Sequence, residues 1–218
     1  MTGTALVRAV GAEHAWRSAI VATTMAGGMR QVVDLGCGLP APIDGDRVHR
    51  VAAGIDPAAR VIHVDLDATV VAHARARMAA PGTAAIRHDV RAAGAWDAIA
   101  GTQQWCPHDP VLVLTIAMTP LWSYGDVIAA ATAARAATAP GSVLAVTVLT
   151  PTPDVGTHLT NTARTAGHPA LHWRTADTLT ALLATAGWTT DTPHPLHHPN
   201  TDTDPPPPIT AWAVTAHH

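Results

Sequence analysis

Gln31-Val32-Val33-Asp34-Leu35-Gly36-Cys37-Gly38-Leu39-Pro40, followed by Arg60-Val61-Ile62-His63-Val64-Asp65, decides how this chain folds. An apolar strand runs into a turn with two glycines, and a second apolar strand ends in an acid. Glycine belongs where backbone must turn tightly and lie against a ligand with no Cβ in the way. An acid at the tip of the neighbouring strand can accept hydrogen bonds from the hydroxyls of a ribose. The pair of segments predicts a nucleoside site at the carboxyl edge of a parallel sheet.

Gly36-Cys37-Gly38-Leu39-Pro40-Ala41 satisfies the dinucleotide pattern G-x-G-x-x-G/A, which has little specificity by itself. Two details point away from a dinucleotide. Asp34 places a carboxylate two residues before the first glycine, where a pyrophosphate would lie. Pro40-Ala41-Pro42 delays the helix whose N-terminus should meet that pyrophosphate. S-adenosylmethionine (SAM) carries no phosphate and has a cationic sulfonium and ammonium, so an adjacent acid suits it.

Four segments taken together resemble one group of class I SAM-dependent methyltransferases. Residues 31–40 (QVVDLGCGLP), 60–67 (RVIHVDLD) and 71–75 (VAHAR) are similar to that group's QFLDIGTGLPT, RVVYVDNDP and VLAHAR. His88-Asp89-Val90-Arg91 is similar to its next motif, and Ala139-Pro140-Gly141-Ser142-Val143-Leu144 to its PGSYL lead into strand five. The resemblance covers residues 28–150 well and the rest loosely. It implies a Rossmann-like α/β fold: a mostly parallel seven-stranded sheet with an antiparallel last strand and helices on both faces. It also implies SAM as cofactor, and a transferase that moves a methyl group. Two departures lie on the acceptor side. About thirty residues precede the first strand, so the chain reads as a shortened member. Thr119 also stands where the group usually has a histidine after strand four.

The resemblance and the strand ends together give the candidate SAM contacts: Asp34, Gly36, Gly38, Asp65, Asp89, Val90 and Thr115. Gly36 and Gly38 admit the methionyl part and the ribose. Asp34 orients loop amides or the ammonium. Asp65 takes the ribose, Asp67 reading instead as the N-cap of the next helix, and Asp89 with the Val90 backbone reads the adenine. Trp16, Met118, Trp122 and Tyr124 are candidates for the acceptor pocket. No catalytic motif is evident, because displacement at a sulfonium-activated carbon needs alignment more than acid or base. His14, Thr119 and Tyr124 are the residues set aside as catalytic candidates, and His63 reads as a packed core residue.

Composition narrows the setting. With 48% hydrophobic and 13% charged residues in 218, the chain reads as a single globular domain. It divides into an N-terminal helical cap (1–28), a SAM-binding half (29–150) and a C-terminal half (151–218). A net charge of −3, with thirteen scattered arginines and no lysine, gives no field to attract nucleic acid. Cys37 and Cys106 have no metal-ligand spacing, so no metal is expected. The absence of a signal-like or membrane-length apolar run predicts a cytoplasmic protein with no membrane partner. Oligomeric state stays open, a homodimer included.

Alternation of elements predicts helices over 3–26, 46–53, 68–78, 93–100, 126–138 and 175–186. Strands are expected over 31–35, 61–65, 84–87, 111–116, 143–150 and 209–215, with a polar loop over 189–208. Three functions fit this frame. The first is methyl transfer to a small molecule in specialised metabolism. The second is consumption of SAM without an acceptor, displacing methylthioadenosine to give a cyclic amino acid. The third is a non-catalytic SAM-binding module.

Overall fold

The computed structural model describes residues 2–39, 47–78, 80–196 and 207–218. The Pro40–Pro42 segment, the expected helix start at Asp46, His197, His198 and Pro205-Pro206 lie outside the described residues.

The sheet grows from β1 (Gln31–Leu35), every residue of which is buried. β2 (Arg60–Asp65) and β4 (Leu112–Thr115) flank it in parallel, β3 (Thr83–Arg87) lies outside β2, and β5 (Val143–Pro151) lies outside β4. β8 (Ile209–His217) then runs antiparallel along the whole of β5. The order is β3-β2-β1-β4-β5-β8-β6, with β6 (Thr189–Thr190) and β7 (His194–Leu196) both pairing β8.

Among the described residues the sheet has eight strands in seven positions, in keeping with the expected mostly parallel sheet and its antiparallel last strand. Two short pieces share one edge position, and both fall in the stretch read as a polar loop. Thr and His there carry no alternating apolar signal, so pairing is imposed by the free edge of β8 and not by the segment itself.

Side-chain alternation divides the core into two layers, as a sheet covered on both faces requires. Val33, Leu35, Val113 and Val146 point to one face. They pack there against α4 (Ala95–Ala100), α5 (Tyr124–Ala137) and α7 (Ala176–Thr185). Val32, Val61, Leu112, Leu114 and Ala145 point to the other face, under α1 (Thr2–Ala26) and α2 (Val48–Ile55). α3 (Ala68–Arg77) starts at Asp67, whose side chain accepts from Thr69 N and closes the predicted cap. α5 opens with a capping box between Ser123 and Asp126, worth about 1 kcal/mol.

Phenylalanine is absent, and tryptophan fills large core volumes in its place. Trp188 is buried with its indole N–H donating to Ala131 O at 2.9 Å, which meets the requirement that a buried indole find an acceptor. α6 (Pro153–Thr165) was not anticipated. Its threonine-rich sequence has low intrinsic helix propensity, and several of its hydroxyls donate back to carbonyls four residues earlier. No helix among the described residues is long and apolar enough to cross a membrane.

Candidate SAM site

The parallel register of β1 and β2 brings the glycine turn against the end of β2. Gly36 N and Cys37 N donate to Val64 O at 2.8 and 3.1 Å, and Gly38 N donates to the Asp65 carboxylate at 3.0 Å. The second Asp65 oxygen accepts from Asp67 N at 2.9 Å. Gly36 and Gly38 have φ of 70° and 65°, in the left-handed region. A Cβ on Gly36 would collide with the Met118 thioether, its Cε lying 2.7 Å away. The turn is thus bare backbone, held by the acid expected to take the ribose.

Asp89 stands at the exit of β3. Arg91 donates to both of its oxygens through Nε and Nη2, at 3.0 and 2.8 Å, and its backbone N–H adds a third bond. These bonds, the side-chain pair foremost, hold the Asp89 carboxyl below the usual carboxylate range. Asp89 is therefore ionised and fixed in orientation.

A cleft of about 660 Å³ runs along this edge. Its lining includes Asp65, Asp67, His88, Asp89, Val90 and Arg91, together with Gly36, Gly38 and Met118, and with Leu121, Trp122, His168 and Pro169. Seven of the residues singled out in the sequence meet there: Gly36, Gly38, Asp65, Asp89, Val90, Met118 and Trp122.

The others lie elsewhere. Asp34 is buried below the turn, its Oδ2 3.1 Å from His63 Nδ1, with the His49 ring edge-on to His63. The β1–β2 register sets Asp34 beside His63, so the acid meets an imidazole rather than loop amides. Thr115 faces the inner core against Leu35, Trp122 and Val127. Thr119 is buried and donates to Thr147 O at 2.9 Å. Tyr124 is half exposed with the Arg174 guanidinium over its ring. Trp16 packs edge-on to His194, and His14 is half-buried two residues earlier on the same helix. Cys37 is buried, and burial, then Asp34 and Asp65, push its thiol well above the ordinary range, so it is an inert thiol.

Glu13 and Arg174 are among the buried polar residues that the sequence reading did not single out. Glu13 is fully buried on α1. Arg174 is buried under Trp122, to whose carbonyl it donates, and burial lowers its pKa. A signal for Glu13 existed: Ala9, Glu13, Arg17, Val21 and Met25 recur every four residues and are all buried, so the acid occupies a core stripe.

Comparison with known proteins agrees with this geometry. The profile of the S-adenosyl methyltransferase family matches residues 3–191, and the chain belongs to that family. A solved structure from Thermobifida fusca, assigned as a methyltransferase, superposes with a TM-score of 0.72 at 25% identity, covering 94% of this chain and 82% of that one. A DUF574 family protein of Streptomyces avermitilis gives 0.78 at 21% identity with the same coverages. Magnesium protoporphyrin IX methyltransferase of Synechocystis, solved with bound S-adenosylhomocysteine (SAH), gives 0.58 at 13% identity, covering 95% and 83%. None of the curated proteins compared by sequence matches this chain. The protein is an S-adenosyl methyltransferase in class, a transferase whose cofactor is SAM.

Proposed function

We propose that this enzyme methylates a small, largely apolar acceptor, and that the cleft along the carboxyl edge holds donor and acceptor end to end. One observation carries the reading. Besides the acids and the bare glycine turn, the same cleft is lined by Met118, Leu121, Trp122 and Pro169, an apolar surface against which an acceptor can pack.

The residues present fit the donor. Gly36 offers backbone with no room for a side chain. The Asp65 carboxylate is pre-oriented by two backbone amides to face the ribose hydroxyls. Asp89, ionised and clamped by Arg91, takes the adenine amino group, and Val90 backbone takes the ring edge. SAM supplies a methyl carbon already activated by its sulfonium. The chain's contribution is to hold the acceptor in line with that carbon and exclude water, and such alignment lowers a barrier by about 7–11 kcal/mol.

None of His14, Thr119 or Tyr124 lines the cleft, so none is assigned a proton transfer. His168 also lines the cleft, and an acceptor with a proton to lose would pass it to that imidazole or to water. A small apolar acceptor suits a role in specialised metabolism. The test is mass spectrometry of the protein with SAM, alone and with a panel of apolar alcohols, phenols and amines. Intact SAM when alone, with SAH and a product heavier by one methylene when an acceptor is present, supports the reading. Methylthioadenosine released from SAM alone overturns it.

A further inference from the structure

α1 descends across the sheet from the carboxyl edge, and Ala9 packs with Leu149 and Ile209 at that edge. Glu13 lies one turn lower, fully buried, with neither carboxyl oxygen in a hydrogen bond. It makes no ion pair among the described residues. The Thr147 hydroxyl on β5 leans on this carboxyl without closing a bond of ordinary geometry. That same hydroxyl accepts from Ala117 N at 2.9 Å, just past the end of β4. Ala117 itself is held at φ 59°, the single non-glycine residue among those described with positive φ. Met118 follows, and its thioether rests on Gly36. A short path thus links the turn of β1 to a buried acid that has no ionic partner among the described residues.

An unpaired acid in the interior costs stability, and such groups persist where a ligand uses them. The direction of the donor says which ligand atom this is. With the ribose on Asp65 and the adenine on Asp89, the sulfur and amino-acid tail extend the other way, past Gly36 toward Ala117 and α1. This inference rests on the SAM reading of the site and deepens it.

We propose that Glu13 is the anionic terminus of the donor site, its carboxylate receiving the α-ammonium of the methionyl tail. Met118 is the residue that moves: an unbranched, flexible side chain lying over Gly36, it swings aside to open the line to Glu13. Burial raises the Glu13 pKa to about 7 against the milder opposing effect of Thr147, so the unliganded carboxyl is largely protonated in mildly acid solution. Seating the ammonium releases that proton to solvent. The other ionisable groups on α1 and the elements packed around it are Arg8, His14 and Arg17 on α1, Arg47, His49 and Arg50 at α2, His194 on β7, and the buried Asp34–His63 pair. β4 contributes none, and β8 only His217 at its far end.

The experiment is calorimetric titration of the full chain and of Glu13→Gln with SAM, SAH and methylthioadenosine at pH 6.0 and 7.5. This interval stays below the ordinary α-amino pKa near 8. The wild type should bind SAM and SAH about fivefold to tenfold more tightly at pH 7.5 than at 6.0, as the ionised fraction of Glu13 rises. Glu13→Gln should bind both at least about tenfold more weakly at pH 7.5 and show no pH dependence. Methylthioadenosine, which lacks the tail, should bind both proteins alike. Equal SAM affinity of the two proteins at pH 7.5 overturns the proposal, and so does an equal loss for methylthioadenosine, which marks a merely structural role. Failure of the wild type to bind SAM at either pH rejects the SAM reading itself, and the proposal with it.

Discussion

Gly38 donates its backbone N–H to the side chain of Asp65 at 3.0 Å, so the turn after β1 is tied to the acid at the tip of β2. One carboxylate thus shapes the loop and, in the proposed donor placement, also takes the ribose. Asp65→Ala removes both functions. Charge-assisted bonds to two hydroxyls are worth about 1.5–3 kcal/mol each, so SAM affinity should fall by at least about a hundredfold. Calorimetry with SAM checks this. The loss should extend to methylthioadenosine, which shares the ribose.

Gly36 admits no side chain for two separable reasons. Its φ of 70° disfavours any Cβ, and Met118 fills the space that a Cβ would need. Gly36→Ala should cost about 2–3 kcal/mol, combining backbone strain with overpacking. Adding Met118→Ala removes the collision but not the strain. The double variant should therefore recover part of the loss in a denaturant titration, and complete recovery would show that φ contributes nothing.

Much of the carboxyl edge could be read directly, because its signals are local. Val32-Val33, Val61-Ile62 and Val111–Ile116 are largely apolar runs, and the first two lead into the glycine turn and the acid that the sheet then places at one edge. Gly36, Gly38, Asp65, Asp89 and Val90 follow from position along a strand. What escaped depends on pairing between distant segments. Asp34 meets His63 only through the β1–β2 register. Thr119 turns inward because Thr147 offers it a carbonyl. β6 and β7 exist because β8 has an edge to fill. His168 joins the cleft after the unanticipated α6, from a loop with no periodic pattern.

The Asp34–His63 pair is a buried hydrogen-bonded couple on the α2 side of β1 and β2, both side chains nearly solvent-free. Removing one partner strands the other in the interior. His63→Leu should destabilise the protein by about 3 kcal/mol. Asp34→Leu/His63→Leu, which leaves neither group behind, should cost less than the sum of the single changes. Chemical denaturation of the four proteins of this cycle gives the coupling.

Glu13 also sets a pH dependence of stability that needs no ligand. Its pKa in the folded state, about 7, lies above the ordinary 4.5, so the folded chain holds a proton that the unfolded chain gives up. Between these values stability falls as pH rises; below about 4.5 the group contributes in full, and above about 7 the loss is complete. The shift corresponds to roughly 3 kcal/mol. Gln carries no such charge and keeps the shape. Glu13→Gln should therefore match the wild type near pH 5 and exceed its Tm by about 5–10 °C at pH 7.5. The clamped carboxylates Asp89 and Asp126 have depressed pKa values and act in the opposite sense, supporting the fold above the usual carboxylate range and losing that support as pH falls. They are common to both proteins, so the difference between the two melting curves isolates Glu13. A difference that stays constant from pH 5 to 7.5 would mean that Glu13 is ionised throughout and already paired.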